Sequence, residues 1–380
     1  MTEASITRQD SPGPEPTLAG LGEFGLIGEL SSWLPAGPGT LVGIGDDAAV
    51  LAAPDGRVVA TTDFLIEGRH FRRDWSSGAD AGHKAAARSL ADLAAMGADP
   101  SGLLLALAAP PDLPVSWARD LARGLAAEAA RAGAAVIGGD TARAGTVLLA
   151  VTGLGNLAGR DPVLRSGAKP GDVVAVAGPL GHAAAGLALL TTGLTAGIRE
   201  NPLVSEHLRP MPPYAAGPEA ATLGATAMID VSDGLLADLG HIARASGVLV
   251  DLDRDRLGPD EELLAAAASL PSGRTGGPHA PASPSSPGRQ ALAWVLTGGE
   301  DHSLAATFPP GTRLPARWRI IGAVKDRPAA EGRTPEARTP NARTADARAG
   351  RSGHGDVVVG GQPWEQPPGW DHFAAGTPSG

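Results

Sequence analysis

Residues 227–253, AMIDVSDGLLADLGHIARASGVLVDLD, constrain the fold most. An apolar run ends in a tight Ser-Asp-Gly turn, a helix follows whose Leu235, Leu236, Leu239, Ile242 and Ala243 share one face, and VLVDLD reads as the returning strand. RSGAKPGDVVAVAGPLGHAAAGLALL has the same order earlier in the second half, a strand turning through glycines into a helix. The first half alternates too. LVGIGDDAAVL and RVVATTDFLI read as β runs, and a helix is predicted from about Asp80 to Met96, closed by Gly97 in a left-handed cap. GLLLALAA, the helical VSWARDLARGLAAEAARAG, and the strands around AAVIGGD and TVLLAVTGLG complete that half. The fold class is therefore α/β, with α+β character.

A chain of 380 residues is long for one core, so two domains are expected. The boundaries read as a disordered tail over 1–17, an N-terminal α/β domain over 18–157, a C-terminal α/β domain over 158–373 and a tail over 374–380. Two insertions interrupt the second domain. Residues 271–289 are rich in Pro, Ser and Gly, and 326–355 carries the pentads EGRTP, EARTP, NARTA and DARAG; neither composition can bury a core.

Composition excludes several functions. Cysteine is absent, which removes disulfides, thiolate catalysis and zinc-thiolate sites, so any metal is held by oxygen or imidazole. A net charge of −10 argues against nucleic-acid binding. No apolar run reaches the roughly 18 residues of a membrane span, and the N-terminus lacks a signal-peptide pattern, so a cytoplasmic protein is expected. GxxxxGK[ST] and G-x-S-x-G are both missing, and GLGNLAG is one residue too long for GxGxxG.

What remains is a set of carboxylates, each interrupting or ending an apolar segment. Asp46 and Asp47 lie in GIGDDAAV, Asp63 in VVATTDFL, Asp92 in SLADLAAMG, Asp140 in VIGGDT, and Asp230 and Asp233 in MIDVSDGLL. Each has a plain structural reading. Asp233 with Ser232 fits a helix N-cap, Asp140 a turn, and Asp63 after Thr61 and Thr62 a strand end. Asp92 fits its plain reading worst, because a carboxylate near a helix C-terminus opposes the dipole. Asp46 beside Asp47 is also hard to place, since adjacent charges at a core edge raise each other's pKa. One cause covers all of them. Magnesium is held by a few carboxylates together with substrate phosphates. A calcium loop at 251–262 is rejected, because Arg256 stands where its glycine belongs and VLVDLD reads as a strand.

Taken in order, GIGDDAAVL, TTDFLIEGRHF, SLADLAAMGADP, VIGGDT, RSGAKPGD, IDVSDGL, LTGGEDHSL and GWDHF closely resemble the thiamine-monophosphate kinase family. That family belongs to the ATP-binding superfamily of aminoimidazole ribonucleotide synthetase. The resemblance runs from about residue 20 to 373 outside the insertions. It implies a two-domain fold with a dimerising N-terminal domain. It also implies ATP-dependent phosphorylation of thiamine monophosphate to thiamine diphosphate, the final step in making that cofactor, on a homodimer with several Mg2+ ions. Carried over by motif, the metal ligands are Asp47, with Asp46 as its neighbouring candidate, Thr61, Thr62, Asp63, Asp92, Asp140, Asp230 and Asp233. ATP meets Gly139, Asp140, Arg165 and Ser232. His70, Glu300 and Trp370 meet the thiamine substrate, whose cationic ring suits a carboxylate and an indole face.

Two departures stand out. His302 and Ser303 replace the Tyr and Glu that commonly follow GGED, and Arg69 sits inside EG-x-HF. The acceptor is itself a phosphate monoester, whose second pKa near ~6 leaves an oxygen ionised, so no catalytic base is expected. The competing readings are a selenophosphate synthetase-like or hydrogenase-maturation-like enzyme and a non-catalytic nucleotide or thiamine phosphate sensor. The absence of cysteine counts against the selenophosphate synthetase, and the number of carboxylates against the sensor.

Overall fold

Strand periodicity separates the two halves of the molecule. The computed structural model describes residues 15–44, 48–193, 197–270, 286–328 and 356–369. The first half runs α1 (Leu18–Ser31), β1 (Thr40–Val42), β2 (Val50–Leu51), β3 (Val59–Ile66), α2 (Gly78–Ala95), β4 (Asp99–Ala109), α3 (Val115–Arg131), β5 (Ala135–Arg143) and β6 (Leu148–Asn156). β3, β6, β4 and β5 form a four-stranded sheet in that order, with β4 and β5 parallel and the other pairs antiparallel. Helices α2 and α3 cover one face. Along β6 buried residues alternate with half-buried ones, as a sheet covered on one side requires.

The second half runs β7 (Val173–Ala177), α4 (His182–Thr191), α5 (Pro202–Leu208), α6 (Ala216–Thr222), β8 (Ala227–Val231), α7 (Leu235–Ser246), β9 (Leu249–Leu252), α8 (Glu261–Ser269), α9 (Pro287–Thr297), β10 (Ser303–Phe308), β11 (Trp318–Lys325), β12 (Val357–Val359) and β13 (Gln362–Pro363). Its seven-stranded sheet has the order β13-β12-β9-β11-β7-β10-β8. Every residue of β8 and β10 is buried. The reason is that both faces are covered. Val174, Val176, Ile229 and Ala305 pack with Leu235, Leu239 and Leu296 on one side, while Ala175, Ala177, Met228 and Leu304 join the core of the first half on the other.

Sequence and structure agree on most elements, and the differences have local causes. Helix α2 starts at Gly78 because Ser77 and Asp80 cap each other: the Asp80 N–H donates to Ser77 Oγ at 3.2 Å and the Ser77 N–H to Asp80 Oδ2 at 2.8 Å. Gly97, at φ 74°, follows its last turn. Pro16 and Thr17, expected in the tail, pair with the segment before α3, where the Val115 N–H donates to the Pro16 carbonyl at 2.9 Å. Helix α9 begins at Pro287, inside the expected 271–289 insertion, and Arg327 of the expected 326–355 insertion pairs with Asp356 at 2.6 Å. The rest of both insertions lies outside the described residues. Among the described residues no helix is long and apolar enough to cross a membrane.

Candidate active site

Strand alternation decides what β3 contributes. Thr61 and Asp63 face α2: the Thr61 hydroxyl donates to Asp92 Oδ2 at 2.6 Å, and the Ser89 hydroxyl lies 3.4 Å from Asp63 Oδ2. Thr62, one residue out of phase, accepts from Thr152 Oγ1 at 3.1 Å, and its own hydroxyl lies 3.3 Å from the Val151 carbonyl oxygen. On α2, Lys84, Arg88 and Asp92 fall at successive i, i+4 positions and form one stripe toward the second half of the chain.

The opposite wall comes from the ends of β8 and β10. Asp230, one residue before the end of β8, is buried; Ser232, Asp233 and Gly234 then turn into α7. Gly234 has φ 127°, a backbone that a side chain rarely tolerates. The turn is held from inside α7, where Asp238 Oδ2 accepts the N–H groups of Ser232, Asp233 and Gly234 at 3.0, 3.0 and 3.1 Å. The N-cap position of this helix is Gly234.

The GGED segment docks onto that turn. The Glu300 N–H donates to the Ser232 carbonyl and the His302 N–H to the Val231 carbonyl, both at 2.8 Å. Asp301 points the other way and accepts the N–H groups of Gly181 and Ala183, at 2.5 and 2.8 Å, at the start of α4. This anchoring holds Glu300 and His302 at φ 71° and 53°, a region costly for residues other than glycine. As a result Glu300 meets Lys84 Nζ at 2.8 Å and Arg88 Nη1, and His302 Nδ1 meets Asp230 Oδ2 at 3.2 Å.

Between the walls lies a cleft of about 160 Å³ lined by Asp63, Arg88, Asp92, Asp230, Ser232, Asp233, Glu300 and His302. Its electrostatics are unbalanced. Burial, then the charges of Asp230 and Asp63, push the Asp92 carboxyl up to about 7. Burial likewise pushes Asp301 up to about 7, against its two backbone donors. Burial would also raise Glu300, but Arg88 and Lys84 beside it hold its carboxyl well below the usual range.

The cleft thus joins Asp63, Asp92, Asp230, Ser232, Asp233 and Glu300 of the residues expected from sequence, with Thr61 directly behind Asp92. Others lie elsewhere. Asp140 is exposed on β5, its Oδ1 accepting the Thr141 N–H at 2.8 Å, in a cross-strand row with Ala106, Ala150 and Phe64. Gly139 precedes it in the row of Leu105, Val151 and Asp63. Arg165 is exposed before β7, and His70 follows β3 with its Nδ1 accepting the Ile66 N–H at 3.0 Å. Asp46, Asp47 and Trp370 fall outside the described residues. Sequence reading missed Lys84, Arg88, Asp238 and the anchoring role of Asp301; the i, i+4 stripe on α2 was the available signal for the first two.

Among the described residues, no three His, Asp or Glu side chains converge as a cage around one ion. Carboxylates facing one another across a polar cleft, with Asp92 raised by burial and then by its acidic neighbours, instead suit a hard cation held by one or two carboxylates and completed by phosphate oxygens.

Comparison with known proteins agrees with this architecture. Residues 45–157 match the N-terminal domain of AIR synthase related proteins and residues 169–275 the C-terminal domain. A thiamine-monophosphate kinase of Mycobacterium tuberculosis is 46% identical over 316 residues, covering 83% of this chain and 88% of that protein. The crystal structure of a thiamine-monophosphate kinase from Stenotrophomonas maltophilia is 31% identical with a TM-score of 0.66, covering 86% of this chain and 93% of that one. The structure of AaThiL complexed with AMPPCP and TMP is 28% identical with a TM-score of 0.67, covering 93% of this chain and 97% of that one. The chain belongs to the thiamine-monophosphate kinase family.

Proposed function

We propose that this protein transfers the γ-phosphoryl group of ATP to thiamine monophosphate, forming thiamine diphosphate and ADP, the final step in making that cofactor. The observation that carries the reading is the cleft in which Asp63, Asp92, Asp230 and Asp233 converge from β3, α2 and the β8–α7 turn, with too little positive charge beside them. Kinship to kinases that share most of the chain, and to a structure complexed with AMPPCP and TMP, supports the two substrates.

Phosphoryl transfer needs alignment and charge compensation more than covalent help. Asp63, Asp92, Asp230 and Asp233 are the described residues that would hold Mg2+, with Asp46 and Asp47 as further candidates. Bound there, Mg2+ supplies charge neutralisation between two anionic reactants. Thr61 orients Asp92 by its hydrogen bond, and Asp238 fixes the turn that presents Ser232 and Asp233. No residue need abstract a proton, because the acceptor phosphate has a second pKa near ~6. Its ionised oxygen attacks the γ-phosphorus in line, and the bond to the bridging oxygen of ADP breaks.

Glu300 takes a different part from the ring counter-charge expected of it. With Lys84 and Arg88 already compensating it, the carboxylate serves this reading as an organiser of cations at the cleft wall.

A homodimer in the cytoplasm completes the reading. The sheet face opposite α2 and α3 carries Phe64 at 54% exposed, and Leu41 and Val50 nearby in the chain are 68% and 47% exposed. Apolar surface of this kind suits a second copy of the chain. Purified protein incubated with ATP, Mg2+ and thiamine monophosphate is expected to give thiamine diphosphate and ADP in equal amounts. Unchanged thiamine monophosphate with folded protein overturns the activity.

A further inference from the structure

Arg88 stands out as a cation in an acidic cleft. Its residue is 8% exposed, and it is the single Lys or Arg among the described lining residues. A guanidinium carries five N–H donors. Among the described residues only Nη1 has a hydrogen-bond partner, Glu300 Oε1; Nη2 is 3.7 Å from Asp63 Oδ1, beyond hydrogen-bond range, and Nε has no partner. Leaving donors of a buried charged group unmatched is costly unless a ligand completes them.

The charge on Arg88 is also not consumed by Glu300. Lys84 Nζ sits 2.8 Å from Glu300 Oε2, so one carboxylate is shared by two cations and the three residues together carry one net positive charge. A rigid planar donor array beside a polar cleft is suited to the paired oxygens of a phosphate. The helix supplies the aim, because Arg88 lies one turn before Asp92 on the same stripe of α2.

Building on the kinase reading, we propose that Arg88 is a phosphate-binding residue of the reaction, contacting an oxygen of the acceptor monophosphate or of the ATP γ-phosphate. It acts where two anions must approach. Lys84, by sharing Glu300, keeps that one carboxylate from neutralising the guanidinium by itself.

Binding measurements test this separately from turnover. Titration calorimetry with Mg2+ present is run on wild type, R88Q and R88K, using thiamine monophosphate against thiamine, and a non-hydrolysable ATP analogue against ADP. R88Q is expected to lose about tenfold in affinity for one phosphate-bearing ligand and nothing for its shorter partner, and R88K to recover part of that loss. Loss for thiamine monophosphate alone assigns the acceptor phosphate; loss for the ATP analogue alone assigns the γ-phosphate. Wild-type affinities in R88Q, or equal losses for the long and short ligand of each pair, overturn the proposal, the second result being that of a merely structural Arg88–Glu300 pair. Failure of wild type to form thiamine diphosphate is a separate result and overturns the kinase reading itself.

Discussion

The hydroxyl of Thr61 donates to Asp92 across 2.6 Å and so ties β3 to the last turns of α2 at the edge of the cleft. That bond is the largest influence lowering an Asp92 carboxyl raised by burial, Asp230 and Asp63. Thr61→Val is expected to weaken the site by about 1 kcal/mol, seen as a roughly fivefold higher magnesium requirement, while Thr61→Ser keeps the wild-type value. An unchanged magnesium titration for the valine variant counts against an orienting role.

Asp63 reaches the cleft from the strand itself. Asp63→Asn removes a charge without changing shape, so kcat is expected to fall by about 100-fold or more at ordinary magnesium, partly regained at high magnesium. Near-normal turnover in this variant ends the carboxylate–cation account.

Asp238 gathers three backbone N–H groups on one oxygen. Asp238→Ala leaves buried donors unmatched and is expected to cost about 2 kcal/mol or more in urea unfolding. Asp238→Asn, which retains an acceptor oxygen, should lose less stability. Both should lower kcat/KM through the Ser232–Asp233 turn. Equal stabilities of alanine variant and wild type refute the anchoring.

His207, buried in α5, has its imidazole pushed down to about 3 by burial and by Lys84. The unfolded ring titrates near ~6.5, so between those values the unfolded state binds the extra proton. Stability then falls as pH drops through that window, by about 1.4 kcal/mol per pH unit at most from this residue. Unfolding measured from pH 7 to 4 should be shallower in His207→Gln. Parallel profiles for the two proteins exclude the linkage.

Phe64 tests the sheet face. Phe64→Arg places charge on the exposed sheet face proposed as the contact and is expected to shift the protein from dimer to monomer in sedimentation velocity. A wild-type monomer, or an unaltered variant dimer, rejects that surface.

Local pattern carries information about some of these residues and not others. Asp92 is conspicuous because a carboxylate near a helix end conflicts with the dipole, and Asp230 and Asp233 because they bracket a turn. The Thr61/Thr62 pair shows the limit of motif reading. Adjacent strand residues face opposite ways, so only Thr61 reaches Asp92, although the motif names both. Lys84 and Arg88 look like ordinary polar positions on a helix until Glu300, more than two hundred residues later, is brought against them. Asp238 is concealed for a different reason: an acidic residue in a helical first turn has a sufficient local explanation, and its three donors, four to six residues earlier, meet it only through the geometry of the Ser-Asp-Gly turn. Tertiary approach creates the roles of Lys84 and Arg88, and turn geometry that of Asp238.

The cleft walls come from different halves of the chain, β3 and α2 on one side and the β8–α7 and GGED turns on the other. During synthesis, then, the first half can emerge and collapse around α2 and α3 without possessing a place for two phosphates to meet. Contacts between segments so distant in sequence carry a loop-closure cost and form late. Competence for transfer should consequently arise at the final docking step, and a partly made chain should leave cellular ATP alone.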